Sequence, residues 1–122
     1  MSSNILIVDD SVSVREIISI GLSSAGYSVI SGSNGEDGLD LLNKNNDIKL
    51  IITDLNMPVM DGITFLKEIR KIERYKYLPV LILTTESQEQ KKLEAKQAGA
   101  TGWIIKPFVN EKLISVVKKV IR

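Results

Sequence analysis

Two pairs of acidic or amide side chains follow two short apolar runs, and their types and spacing suit the binding of a cation. Asp9 and Asp10 come directly after one run, and Asp54 and Asn56 follow another. If the two runs are neighbouring parallel strands, the carboxylates crowd into one crevice, where a divalent cation relieves their mutual repulsion. The pattern therefore predicts a metal-binding pocket.

The composition restricts the chemistry that such a pocket can support. The sequence contains no cysteine and no histidine, which excludes disulfides, thiolate zinc sites, imidazole bases and Ser-His-Asp or Cys-His dyads. Sixteen Lys and Arg against fifteen Asp and Glu give a formal charge of +1. Bulk charge therefore favours neither nucleic acid nor an anionic membrane as a partner.

The length and hydropathy indicate one globular domain. A chain of 122 residues that is 43% hydrophobic and 25% charged has the commonest domain size, so we expect one domain over residues 1–122. No apolar run approaches the roughly 20 residues needed to span a bilayer, and no basic segment with a long apolar core begins the chain. We therefore expect a cytoplasmic protein that does not bind membranes.

Strand and helix patterns alternate along the chain and would position the polar residues. Apolar runs begin near Ile5, Tyr27, Leu50, Val80 and Trp103, and a segment of helical period follows each run. The third and fourth runs are almost wholly apolar, which is typical of strands covered on both faces. The chain is therefore predicted to be an α/β protein of five βα units, with a parallel sheet between helices.

The polar candidates coincide with the predicted strand ends. In open α/β sheets, ligands bind beyond the carboxyl ends of the strands at the topological switch point. Asp9, Asp10, Asp54 and Thr84 all lie at such ends. Their shared placement supports one common pocket more strongly than any of these residues does alone.

Two of the predicted helices carry specific expectations. The first helix should be capped by Ser11 and ended by Gly26, and it should bury one stripe of side chains: Val14, Ile17, Ile18 and Leu22. The segment from Ser87 to Ala98 is highly charged and has little to bury, so it is a candidate moving part. An ordinary exposed helix explains that segment equally well.

Together, these residues resemble a known family, the bacterial two-component response regulator receiver domain. The motifs that carry the resemblance are Asp9-Asp10, Asp54-Leu55-Asn56-Met57-Pro58, Asp61-Gly62, Thr84 and Lys106-Pro107-Phe108. Residues 84–87 and 98–108 resemble the stand-alone CheY-like receivers of chemotaxis more than the receiver of a transcription factor. The resemblance implies a flavodoxin-like (βα)5 doubly wound sheet with strand order 2-1-3-4-5, five helices and no effector domain.

The resemblance assigns a role to each acidic residue. Asp54 would accept a phosphoryl group, a reaction that depends mainly on positioning and charge neutralisation. The resemblance implies that Mg²⁺ is held directly by Asp10, Asp54 and the backbone carbonyl of Asn56, and by Asp9 largely through water. Taken singly, an aspartate after a strand is more often a helix cap, and two adjacent acids can simply stabilise a helix N-terminus.

Three further residues would respond to phosphorylation. Lys106 would pair with Asp54 and later with a phosphoryl oxygen, and the resemblance implies a cis Lys106-Pro107 bond. The Thr84 hydroxyl would bond the phosphoryl group and draw its strand end inward. Trp103 stands where the family commonly has a rotating Tyr or Phe, and its larger indole requires a wider cavity or a smaller swing. The simpler alternatives are an exposed lysine, a strand-forming threonine and a tryptophan half-buried on an edge strand.

The function implied by the resemblance is a phosphorylation-activated signalling switch rather than a conventional enzyme, with weak Mg²⁺-dependent self-phosphorylation and self-dephosphorylation. The expected partners of this monomer are a CheA-like histidine kinase, the flagellar motor switch protein or another downstream protein, and a phosphatase. The alternative is a single-domain receiver that acts as a phosphate sink or shuttle in another two-component pathway.

Three other classes of protein fit less well. A metal-dependent phosphatase with an aspartyl intermediate needs an Asp-x-Asp spacing, whereas Asp9 and Asp10 are adjacent. A flavodoxin-like electron carrier would cradle a phosphate in its first loop, where two carboxylates would repel it. Dinucleotide binding lacks the G-x-G-x-x-G loop after the first strand.

Overall fold

Five parallel strands form the sheet that the alternating pattern predicts. The computed structural model describes residues 4–121, so residues 1–3 and 122 of the expected domain lie outside the described residues. The strands are β1 (Asn4–Val8), β2 (Ser28–Gly32), β3 (Ile48–Thr53), β4 (Val80–Thr84) and β5 (Gly102–Ile105). Their order, β2-β1-β3-β4-β5, confirms the flavodoxin-like topology.

One helix follows each strand. The helices are α1 (Val12–Ser24), α2 (Gly35–Lys44), α3 (Gly62–Lys71), α4 (Glu89–Gln97) and α5 (Asn110–Val120), with a short 3-10 turn at Glu73–Tyr75. Among residues 4–121, no helix combines the length and the apolar character that crossing a membrane would require.

The helices cover both faces of the sheet because strand side chains alternate between the faces. On one face, Leu6, Val8 and Ile51 pack with Phe65 and Leu66 of α3. The opposite face is built in the same way against α1 and α5; its buried members include Ile5, Ile7, Leu50, Ile52, Ile18, Leu22, Leu113 and Val117. Because burial of each such side chain contributes about 1.5–3 kcal/mol, these two layers hold the strand ends in place.

The start and end signals of α1 are confirmed, but its predicted apolar stripe is wrong at one position. Ser11 accepts a hydrogen bond from the amide of Val14 at 3.3 Å, and Gly26 follows the helix with a φ of +99°. Ile18 and Leu22 are buried, whereas the side chain of Ile17 is 51% exposed. The buried stripe follows the i, i+4 row, and Ile17 lies about 100° around the helix from Ile18, off that row.

Helix α4 is shorter than the predicted segment from Ser87 to Ala98, and it is weakly buried as the composition indicated. Ala95 is its one fully buried residue, and Leu93 is 50% exposed. The helix begins without a side-chain cap at Gln88. Packing contributes little to the stability of α4, so a displacement of this helix would break few buried contacts.

Candidate functional site

The register of the sheet brings the acidic residues together. Val8 pairs with Thr53, so the next residues along β1 and β3, Asp9 and Asp54, leave the sheet at the same level. The amide of Asp54 donates a hydrogen bond to the carbonyl of Val8 at 2.9 Å. The carboxyl ends of β1 and β3 also form the topological switch point of the sheet. The chain adds β2 on one side of β1 and then crosses to add β3 on the other side.

The three carboxylates of Asp9, Asp10 and Asp54 form one cluster. Each offers an oxygen, and these oxygens all lie within 4.8 Å of one another. Asp9 and Asp54 are buried, with 2% and 8% of their surface exposed, while Asp10 is open to solvent. All the donors are hard oxygen atoms, and one side of the cluster is accessible, so the cluster could hold a hard divalent cation.

Lys106 is the one cation in ion-pair contact with this cluster among the described residues. Its ammonium lies 2.8 Å from Oδ2 of Asp9 and 3.1 Å from Oδ2 of Asp54. Burial alone would lower the pKa of Lys106, but hydrogen bonds and charge from Asp9 and Asp54 outweigh burial and raise it. One ammonium among three carboxylates leaves the cluster short of positive charge.

Backbone amides fix the second oxygen of each buried carboxylate. Oδ1 of Asp9 accepts from the amide of Ser11 at 2.9 Å, and Oδ1 of Asp54 accepts from the amide of Leu55 at 2.6 Å. Each buried carboxylate is therefore held between a backbone N–H group and Lys106. Such two-sided bonding sets the orientation of both acids before any ligand arrives.

Lys106 reaches the cluster from the end of β5. Its amide donates to the carbonyl of Thr84 at 2.8 Å, which extends the pairing of the last two strands by one residue. The Lys106-Pro107 peptide bond is cis, as the resemblance implies. The lysine is thus placed by the sheet itself rather than by a free loop.

Thr84 and Trp103 lie on the paired strands β4 and β5, but within residues 4–121 their side chains make no hydrogen bond to Asp9, Asp10 or Asp54. The Thr84 side chain is fully buried, and its hydroxyl accepts from the amide of Glu86 at 3.2 Å. Trp103 is half-buried on β5, and its indole N–H is buried without a hydrogen-bond partner in the described chain. The ring lines a groove of about 230 Å³ beside α4, and the Lys92 ammonium is 6.0 Å from the ring centroid.

The Asn56 side chain is exposed and lines a polar groove between α3 and α4. The groove also contains Thr64 and Lys91. That the Asn56 backbone carbonyl rather than its side chain would bind a cation stays a prediction.

The motif Asp61-Gly62 has a structural role that the sequence analysis did not assign. Asp61 caps α3 by accepting from the amide of Thr64 at 2.8 Å, and the amide of Gly62 donates to the carbonyl of Leu55 at 2.7 Å. A Cβ atom at Gly62 would lie 2.7 Å from the Cα of Leu55 and would collide with the carbonyl oxygen of Asp54. The glycine therefore allows α3 to start directly against the loop that carries Asp54.

Between Pro58 and Asp61 the chain makes a strained turn at Val59, which the sequence did not predict. Val59 has a φ of +71°, a region that β-branched residues rarely adopt. The amide of Met60 donates to the carbonyl of Pro58 at 2.7 Å, which closes a three-residue turn. Pro58 gave a signal for a turn, but nothing in the sequence indicated a positive φ at a valine.

Arg15 is a further residue of the site that sequence reasoning missed. Its guanidinium donates a hydrogen bond to the backbone carbonyl of Asp9 at 2.5 Å. The available signal was its position: a cation at the end of the first turn of α1 is disfavoured by the helix dipole. An arginine there needs a compensating contact, and the carbonyl of Asp9 provides it.

Comparison with known proteins gives a consistent result. Residues 5–118 match the family model of the response regulator receiver domain. The chain is 38% identical to a chemotaxis protein CheY homolog of Campylobacter jejuni over 110 residues, which cover 89% of this chain and 85% of that protein. It is 41% identical to chemotaxis protein CheY-3 of Vibrio cholerae over 118 residues, which cover 95% of this chain and 89% of that protein. The crystal structure of CheY4 of Vibrio cholerae superposes with a TM-score of 0.94 at 42% identity and covers 99% of this chain and 100% of that chain.

Proposed function

The chain belongs to the family of response regulator receiver domains, and on that basis we propose that it is a chemotaxis switch in which Asp54 accepts a phosphoryl group from a histidine kinase. The observation that carries the proposal is the cluster itself. Three carboxylates present oxygens within 4.8 Å of one another, and Lys106 contacts the two buried ones. A pocket of this kind suits an incoming phosphoryl group together with a cation.

The acidic residues would have two roles, nucleophilic attack and cation binding. When bound, Mg²⁺ supplies positive charge that offsets the phosphoryl oxygens, and Asp10, Asp54 and the backbone of Asn56 would hold it, with Asp9 acting through water. An oxygen of Asp54 attacks phosphorus while the bond from phosphorus to the donor nitrogen breaks, and the donor histidine leaves with the electron pair of that bond. The product is an acyl phosphate on Asp54.

Lys106 and Thr84 would respond to the new group. Because the pKa of Lys106 is raised, its side chain stays an ammonium ion and can transfer its hydrogen bond from the Asp54 carboxylate to a phosphoryl oxygen. The Thr84 hydroxyl accepts a backbone bond from Glu86 and remains able to turn and donate to the phosphoryl group. That turn pulls the end of β4 and the loop before α4 towards Asp54.

Trp103 and α4 would carry the change to the surface. The buried N–H of Trp103 has no partner in the described structure, and α4 is held by few buried contacts. Both lie beside the same groove. A shift of β4 would therefore alter the surface made by α4, β5 and α5, which selects the downstream partner.

The partners are proposed from the similar proteins, which are chemotaxis proteins. We propose a monomeric, cytoplasmic, stand-alone receiver that receives its phosphoryl group from a CheA-like kinase, binds the flagellar motor switch and is reset by a phosphatase. The relatives that suggest a stand-alone receiver are matched over 85% and 89% of their own length.

Phosphotransfer from acetyl phosphate tests the proposed chemistry. We expect covalent phosphate on the intact protein and a Trp103 fluorescence change, both dependent on Mg²⁺ and both lost in Asp54→Asn. Asp40→Asn is the matched control, because Asp40 is an exposed carboxylate on α2. A phosphorylated Asp54→Asn protein with the parent's fluorescence response would disprove the role of Asp54.

A second measurement separates motor binding from a phosphate sink. The phosphorylated and unphosphorylated forms are titrated with a peptide from a flagellar switch protein. A motor-binding switch gains affinity on phosphorylation, whereas a sink or shuttle shows no gain.

A further inference from the structure

We propose that Arg15 is a positioning residue of the acidic site, which fixes the peptide group between Asp9 and Asp10 and so sets where the Asp10 carboxylate lies. The inference rests on the proposed function, because it assumes that the cluster binds a divalent cation. Arg15 would contact neither the cation nor the phosphoryl group. It would act through the backbone of Asp9.

The contact that Arg15 makes is unusual for a cation in this location. Nη1 of Arg15 donates to the carbonyl oxygen of Asp9 at 2.5 Å in a partly buried setting. Within residues 4–121, the ion pairs of the acidic cluster are those of Lys106. The guanidinium therefore lies next to an acidic loop and binds a neutral carbonyl there.

The two acids of that loop differ in how they are held. Asp9 is fixed at every polar group: its amide donates to the carbonyl of Gly32 at 3.2 Å, and its carboxylate accepts from Ser11 and Lys106. Asp10 is exposed, and its side chain makes no hydrogen bond within the described residues. Only the backbone can hold Asp10 in place.

The carbonyl that Arg15 binds belongs to the peptide group that leads into Asp10. A peptide group is planar, so fixing the direction of its carbonyl also fixes the Cα atom that follows. Arg15 thus provides a restraint that Asp10 does not obtain through its own side chain. This restraint reduces the ordering that a cation would otherwise have to impose on Asp10.

The charge of Arg15 and its hydrogen bond have opposite effects on cation affinity. A guanidinium near the cluster repels a divalent cation, so the charge alone weakens binding. Fixing Asp10 strengthens binding, and groups that orient metal ligands typically contribute about ten- to a hundredfold in affinity. The direction of the change on removing Arg15 therefore shows which effect dominates.

The experiment is a calorimetric titration of the whole protein with Mg²⁺ at constant ionic strength. Arg15→Met keeps the apolar stem and removes the donors; we expect it to bind Mg²⁺ about tenfold more weakly. Arg15→Lys keeps a charged donor and should recover most of the affinity. Arg74→Met removes the same charge at an exposed position of the 3-10 turn that precedes β4, whereas the site lies beyond the carboxyl ends of the strands, and it should bind like the parent.

The outcomes distinguish a positioning role of Arg15 from an effect of its charge and from a purely structural role. Tighter binding by Arg15→Met would mean that only charge matters, and unchanged affinity with a lower melting temperature in EDTA would mean a purely structural role; either result overturns the inference. Should Arg15→Met fail to fold, Arg15→Leu, which also has no hydrogen-bond donor, takes its place with the same expected loss. A parent protein that binds no Mg²⁺ would instead contradict the proposed function.

Discussion

Lys106 donates a hydrogen bond to Asp9 at 2.8 Å, although 97 positions of sequence separate the two residues. The same ammonium contacts Asp54 at 3.1 Å, so the lysine occupies oxygens of both buried acids. A divalent cation would be attracted by the same carboxylates. In the unphosphorylated protein, Lys106 and the cation therefore compete for one cluster of negative charge.

This competition predicts that Lys106→Met binds Mg²⁺ more tightly than the parent. Removing one positive charge at this range is worth on the order of 1 kcal/mol after screening, so we expect about a fivefold gain in affinity by calorimetry. The same variant should lose the Trp103 response to acetyl phosphate, because the Lys106 ammonium that would bind a phosphoryl oxygen is gone while the bound Mg²⁺ is not a substitute for it. Lys112→Met, at an exposed position of α5, should change neither property. Weaker Mg²⁺ binding by Lys106→Met would contradict the competition.

The raised pKa of Lys106 predicts a loss of stability at alkaline pH. A pKa that is higher in the folded state than the ordinary value of 10.5 means that the contribution to stability is complete below pH 10.5 and is lost as pH rises through the folded-state pKa. The difference in unfolding free energy between the parent and Lys106→Met should therefore be constant from neutral pH to about pH 9.5 and shrink above pH 10.5. Denaturant unfolding in EDTA over this range provides the measurement. A difference that shrinks below pH 9 would mean that another group is responsible.

The sequence was sufficient to predict the sheet and the meeting of Asp9 with Asp54, because both depend on rules that act along single strands. Apolar runs marked the strands, and a strand end at Val8 paired with a strand end at Thr53 brings the following aspartates together. The order of the strands was not contained in these local patterns. It came from the resemblance.

Several features of the structure could not be predicted, because they depend on how the helices and strands pack against one another. Ile17 has the period of a buried residue, yet α1 rests on the sheet along a narrower row and leaves it exposed. The bonds of Lys106 to Asp9 and of Arg15 to the Asp9 carbonyl join groups through the fold rather than through a motif. The positive φ of Val59 runs against its residue type, so sequence propensity pointed away from it.

Gly62→Ala is predicted to damage the site through the backbone. The added Cβ would meet the Asp54 carbonyl oxygen and the Cα of Leu55, which cannot move aside as a side-chain tip can. We expect a loss of about 2 kcal/mol or more in unfolding free energy and weaker Mg²⁺ binding by calorimetry. Gly21→Ala is the control, because its Cβ would lie 3.0 Å from the side-chain tip of Asn110, which can turn away. Similar effects of the two substitutions would show that the close approach at Gly62 is unimportant.

Arg70 joins the end of α3 to the segment that follows α4, and its removal should loosen that segment. The guanidinium donates to the carbonyls of Leu78 at 2.7 Å and Tyr75 at 3.2 Å, and to that of Gly99 at 2.6 Å. Burial lowers the pKa of Arg70, and in Arg70→Met three partly buried carbonyls would lose this donor. We expect a loss of about 2–4 kcal/mol in unfolding free energy.

The location of the effect distinguishes this anchor from general destabilisation. In Arg70→Met, hydrogen exchange should increase most at residues 99–101 and in α4, because the bond to Gly99 crosses from α3 to the segment that directly follows α4. Exchange in β1 should rise only as far as the lower global stability requires. Arg74→Met, which removes a neighbouring exposed arginine, should leave α4 unchanged. Equal increases in exchange across the whole sheet would mean that Arg70 supports the fold at large rather than anchoring α4.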